Sequence, residues 1–193
     1  MAYTIDFLKN WLKTNLSQER YEHSIGTAEC AEILADKFGL DKEKAYFTGL
    51  IHDCAKCMQK EELLSILSNV TLVEGELENS KTYHAPAGAY VAKTEFGVTD
   101  EEILSAIRWH TIGKLNMTLF EKLIFLADKI EIRTRPAEYR EPITKLLDEE
   151  NGLDKALLLC YKNTIKSLVD RELTICTATV DIYNELLNSL NQR

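Results

Sequence analysis

The chain has 193 residues and a mass of 22.0 kDa, a length that suits one domain with a sizeable core. Hydrophobic residues make up 45% and charged residues 28%, the balance of a globular protein rather than a fibrous or disordered one. Lys plus Arg (23) against Asp plus Glu (31) leaves a formal charge of -8, which excludes the broad cationic face needed for nucleic-acid backbones or anionic membrane surfaces.

Apolar residues recur at helical spacing along most of the chain, and no alternating strand pattern lasts more than a few residues. The predicted fold class is therefore all-α. In chain order the predicted helices cover 4–15, 18–38, 41–58, 60–68, 86–95, 100–110, 118–131, 140–149, 154–169 and 176–190. Gly39 and Gly97 fall where C-terminal caps belong. Thr99 with Glu102, and Thr118 with Glu121, have the spacing of capping boxes. Pro86 suits a first helical turn, where its missing N–H is no loss. Loops are expected near 69–83 and 132–141. No repeat, low-complexity tract or composition shift divides the chain, so residues 1–193 read as one domain.

Apolar runs such as Leu157–Tyr161 are too short to span a bilayer, and Asp6 and Lys9 interrupt the first turns where a signal peptide would be apolar. Five cysteines in a chain of this length read as reduced thiols, so the expected location is the cytoplasm.

The chemistry concentrates in the four histidines and two aspartates. His23 heads a stripe with Thr27, Cys30 and Leu34 and so points inward. His52 shares a face with Ala45, Thr48 and Ala55, and Asp53 follows it directly. His110 ends the stripe of Ile103 and Ile107, and Asp128 lies one turn beyond Ile124 within an apolar run. His84 is the fourth imidazole. One inward histidine alone is ordinary core, and one His-Asp pair recurs by chance. Several such groups on inward faces of separate helices share a single economical solution, a cation, because an unpaired buried carboxylate is very costly. Imidazole and carboxylate donors suit Fe, Mn, Co, Ni or Zn.

The order His23, His52-Asp53, Asp128 on an all-α background resembles the HD-domain superfamily of metal-dependent phosphohydrolases. The segments Arg20–Ser24, His52–Lys56, His84–Tyr90, Arg108–Gly113 and Ala127–Glu131 resemble one bacterial branch, the YqeK-type symmetrical bis(5′-nucleosyl)-tetraphosphatases, with a weaker echo at Lys162–Thr164 and Tyr183–Asn184. This resemblance implies a single helical bundle with a central metal site. It implies that His23, His52, Asp53 and Asp128 hold iron or a similar divalent ion. It places His84 and His110 against the phosphates, or at a second metal ion. Lys56, expected one turn beyond His52 on the same helix, would reach the same cavity. Thr111 and Gly113 would shape the turn beside the phosphates, and Arg20 would add a cation. Asp53, Lys56, His84 and His110 would carry the catalysis.

Relatives continue the Ile-Glu pair with Pro, any residue and Arg. Here the chain reads Ile130-Glu131-Ile132-Arg133-Thr134-Arg135-Pro136, so either Arg133 or Arg135 would take the arginine's role. Residues 172–179 also lack the relatives' prolines. The implied reaction is cleavage of diadenosine tetraphosphate to two ADP, with ADP or GDP as further ligands and a homodimer as the assembly. The competing readings are a 5′-deoxynucleotidase, an alarmone hydrolase, and a nucleotide-sensing module whose metal is structural. Cys54-Ala55-Lys56-Cys57 is expected inside a helix, which does not suit a redox motif. Trp11, Phe47, Phe120 and Phe125 are expected in the core.

Overall fold

The computed structural model describes residues 4–73 and 76–192, the side chain of Glu78 excepted. Among these residues are ten α-helices and no strand, as the periodicity predicts. They are α1 (Ile5–Asn15), α2 (Gln18–Phe38), α3 (Lys42–Ile51), α4 (Lys60–Leu67), α5 (His84–Thr94), α6 (Glu101–Trp109), α7 (Leu119–Ile130), α8 (Ala137–Leu146), α9 (Gly152–Asp170) and α10 (Thr177–Asn191).

Capping chemistry sets many of the boundaries. The side chains of Thr4, Ser17, Asp41 and Thr118 each accept the N–H three residues on. Thr118 closes the predicted box with Glu121, and Gly39 ends α2 in the left-handed conformation. The other predicted box does not form. Asp100 caps α6 instead, accepting from the N–H groups of Glu102 and Ile103 at 2.9 and 3.3 Å. A carboxylate is the stronger acceptor at the positive end of a helix, so it displaces the neighbouring Thr99.

Three other boundaries differ from the sequence reading. The helix predicted over 41–58 ends at Ile51, and residues 52–57 form successive turns. The N–H groups of Cys54, Lys56 and Met58 close these turns on the carbonyls three residues back. Lys56 is therefore carried on a turn and not on the helix of His52. α8 starts at Ala137, inside the predicted 132–141 loop, and carries Pro142 internally. The 69–83 loop contains two short 3-10 turns, Glu76–Glu78 and Ser80–Thr82, while positions 74 and 75 lie outside the described residues.

α7 is the central element, buried on nearly all its sides. One apolar cluster joins its Leu123, Ile124 and Leu126 to Leu34 of α2, to Leu157 and Tyr161 of α9, and to Ile182 of α10. A second joins Leu8 and Leu12 of α1 to Leu50 of α3, Val91 of α5 and Ile107 of α6. Phe47, Phe120 and Phe125 are buried as expected, and Trp11 is partly so, edge-on to Phe96. The polar site lies where α2, α3, α6 and α7 meet. No helix among the described residues is long and apolar enough to cross a membrane, and no disulfide forms among them.

Candidate metal centre

All four histidines and both aspartates are buried in one place. His23 comes from α2, His52 and Asp53 from the end of α3, His84 from the start of α5, His110 from the end of α6, and Asp128 from α7. His23 Nε2 stands 2.8 Å from Asp128 Oδ1 and 3.9 Å from Asp53 Oδ2. His52 Nε2 stands 3.9 Å from each of those oxygens. Donors held about 2.1 Å from one ion are themselves about 3 to 4 Å apart, so this spacing suits a shared transition-metal ion. His23, His52 and Asp128 form one such group, and His52, Asp53 and His110 form a second that shares His52.

The imidazole orientations fit a metal more closely still. His52 Nδ1 bonds to Gly49 O and His110 Nδ1 to Ile107 O, both at 2.7 Å. His23 Nδ1 lies 3.1 Å from Glu131 Oε1. Each outer nitrogen thus has an acceptor, which leaves each Nε2 turned toward the cluster, as in metal-ligating histidines. Nε2 of His23, Nε2 of His52 and Oδ1 of Asp53 are buried without a hydrogen bond from the protein. Buried polar atoms rarely remain unsatisfied, so these three call for a bound group.

Charge states agree. Burial pushes the His52 pKa down to about 3 and holds that of His84 well below its usual value, so both are neutral rings. Burial opposes ionisation of Asp53, but the neighbouring His52, His110, His84 and Lys56 outweigh it and hold its pKa well below the usual range. Asp128 is likewise kept ionised against burial by Lys129, His23 and Arg135. For His23, burial is outweighed by Asp128 and Glu131, and its pKa is raised.

A second set of groups surrounds Asp53 Oδ1. His84 Nε2 is 3.2 Å away, His110 Nε2 3.4 Å and Lys56 Nζ 4.0 Å. The two imidazoles stand 3.1 Å apart, and Thr111 Oγ1 lies 3.0 and 3.1 Å from them. Lys56 Nζ is 3.0 and 3.2 Å from the two ring nitrogens of His84. Arg20 Nη1 reaches to 3.6 Å from Asp53 Oδ2 at the rim. The arginine alternatives separate clearly. Arg135 bonds to the backbone and the carboxylate of Asp128 at 2.9 and 2.7 Å. Arg133 faces outward and is engaged by Glu22 and Glu29.

A family model described as HD domain matches residues 20–133, more than half of the chain. The chain belongs to the HD-domain family. A symmetrical bis(5′-nucleosyl)-tetraphosphatase of Bacillus subtilis is 38% identical over 92% of this chain and 94% of its own. One from Staphylococcus aureus is 34% identical over 93% of each chain. A crystal structure described as a predicted HD superfamily hydrolase involved in NAD metabolism, from Clostridium acetobutylicum, superimposes with a TM-score of 0.91 at 37% identity, covering 98% of this chain and 100% of that one. HD-domain hydrolases use divalent metals, and the His and Asp clusters here are able to bind one.

Two features of this HD domain escape sequence reasoning. Glu131 is fully buried and accepts from His23, Thr134 and the N–H of Arg133. Burial opposes its ionisation, but these bonds pull its pKa down to about 2. The signal was its place three residues after Asp128, at the cap that ends α7. Gly113 owes its identity to the core. Its φ is +78°, and an added Cβ would lie 2.0 Å from Oη of Tyr161, which itself donates to Ile112 O. Gly113→Ala is expected to cost about 2–4 kcal/mol through backbone strain and overlap. A fall in the urea midpoint would measure it; an unchanged midpoint would show that the turn can rearrange.

The Cys54–Cys57 pair lies on the 52–57 turns, not inside a helix as expected. Burial pushes the Cys54 thiol up to about 12, so Cys54 is not the activated thiol of a redox pair.

Proposed function

We propose that the chain hydrolyses dinucleoside tetraphosphates symmetrically, giving two ADP from diadenosine tetraphosphate. The observation that carries this reading is the convergence of unpartnered buried donors on one point, ringed by Lys56, Arg20, Arg135 and Lys129 in a chain of net charge -8. An acidic protein needs such a local cationic basin to hold a polyphosphate. The tetraphosphatase relatives, similar over more than nine-tenths of the chain, support the substrate class.

His23, His52, Asp53 and Asp128 would hold the metal, iron or another first-row divalent ion. When bound, that ion supplies Lewis acidity to the phosphoryl oxygens and brings the pKa of water down to roughly 7. Asp53 would both hold the metal and take a proton from the attacking water, through an Oδ1 that lacks a hydrogen bond from the protein. Water adds to an inner phosphorus, the central P–O bond breaks, and ADP leaves while the second ADP keeps the water's oxygen. Lys56, His84, His110 and Thr111 would hydrogen-bond the phosphoryl oxygens as their charge shifts toward the leaving group. Arg135 fixes the Asp128 carboxylate from outside.

Product analysis tests the reading. Two ADP and no inorganic phosphate are expected from diadenosine tetraphosphate after metal loading, with elemental analysis naming the ion. AMP plus ATP, or no turnover in excess of enzyme, would reject it. Glu131→Gln tests the support of His23. It keeps the side chain's shape but removes the charge that orients the ring, so metal affinity should fall about 10- to 100-fold. Titration of the metal-free protein measures this, and an unaltered affinity would remove Glu131 from the site.

A further inference from the structure

A substrate cut at its midpoint carries a nucleoside on each side of the reacting phosphorus, whereas a mononucleotide hydrolase needs a place for one. One cavity adjoins the centre, and a second adjoins that cavity. The first contains Thr111, which touches both His84 and His110, together with Thr174 and Thr179 near the start of α10. The second, about 240 Å3, lies between α8 and α9 and is lined by Tyr139, Asn163, Thr164, Ser167, Leu168 and Arg171. Thr164 and Leu168, one turn apart on α9, line both. Tyr139 packs against the apolar cluster that contains Cys160, so the second cavity continues from the first along α9.

We propose that the second cavity receives the second nucleoside of the dinucleotide, the first occupying the cavity beside Thr111. The inference rests on the hydrolase reading above. The lining has the needed chemistry. The Asn163 amide offers a donor and an acceptor to a base edge, the hydroxyls of Thr164 and Ser167 suit a ribose, and the half-buried Tyr139 ring offers a stacking face. Among the described residues, neither Asn163, Thr164 nor Ser167 uses its side chain in a hydrogen bond, and Arg171 has no ion pair, unlike Arg108, Arg133 and Arg135. Polar groups left open in a cavity next to a polyphosphate site are available to a ligand.

The test compares a two-nucleoside ligand with a one-nucleoside ligand. Ser167→Trp fills the cavity from an exposed position, and Asn163→Ala removes its amide. Each variant should raise KM for diadenosine tetraphosphate about tenfold. Inhibition by ADP should stay at its wild-type strength, because ADP retains the cavity beside Thr111. An unchanged KM in both variants, or an equal weakening of ADP, would overturn the two-cavity assignment while leaving the hydrolase intact. Wild-type protein inactive on the dinucleotide would overturn the hydrolase reading itself, and this inference with it.

Discussion

Asp128→Ala protein keeps its helical fold and loses both its metal and its turnover. Alanine is the better helix former, so α7 is not weakened by the change itself. The carboxylate is where the site is most concentrated. Its Oδ1 stands 2.8 Å from His23 and 2.7 Å from Arg135, and its Oδ2 stands 2.6 Å from Lys129. Without it, the centre loses one donor, and two cationic side chains face a divalent ion with nothing between. Turnover should therefore fall by at least about 10³-fold, since Lewis-acid activation and charge stabilisation go together. Far-UV circular dichroism, elemental analysis and the ADP assay read the three outcomes separately. A variant that keeps its metal and its rate would place the centre elsewhere.

Lys56→Ala dissociates those two losses. Its ammonium is a cation beside the cluster, 4.0 Å from Asp53 Oδ1 and 3.0 Å from His84 Nε2, and is no metal donor. Burial lowers its pKa, while Asp53 and Asp128 favour the charged form. The expected result is unchanged metal content with kcat down about 10²- to 10³-fold, the usual effect of losing one preorganised group at developing phosphoryl charge. Loss of the metal in this variant would assign Lys56 to maintaining the centre instead.

The helices were legible because α1, α2, α6 and α7 bury continuous stripes, and a stripe that ends in His23 or His110 shows where the ring must point. Asp128 was legible for the same reason, one turn beyond Ile124 in an apolar run. The end of α3 was not. Its apolar spacing runs on past Ile51 to Ala55, and only three-dimensional structure shows that His52 turns back to Gly49 O while the next residues close into turns. The choice between Arg133 and Arg135 was equally hidden. It is decided by Glu22 and Glu29 on α2, more than 100 residues away in the chain, which draw Arg133 outward. Glu131 reads as the polar end of a helix until His23 is seen against it. The spacing of Thr99 and Glu102 points to Thr99 as the cap, and only the structure shows Asp100 taking two N–H groups at once.

The imidazoles at the ends of α3 and α6 take their orientation from peptide carbonyls. No exchange of a neighbouring residue type deletes such an acceptor, so the aim of His52 and His110 is insulated from point mutation. His23 alone borrows its aim from another residue's side chain, the carboxylate of Glu131. Drift in this lineage should therefore leave two of these three rings pointing as they do now, and the tolerance of the whole constellation to sequence change should be limited by the one that leans on a genetically replaceable prop.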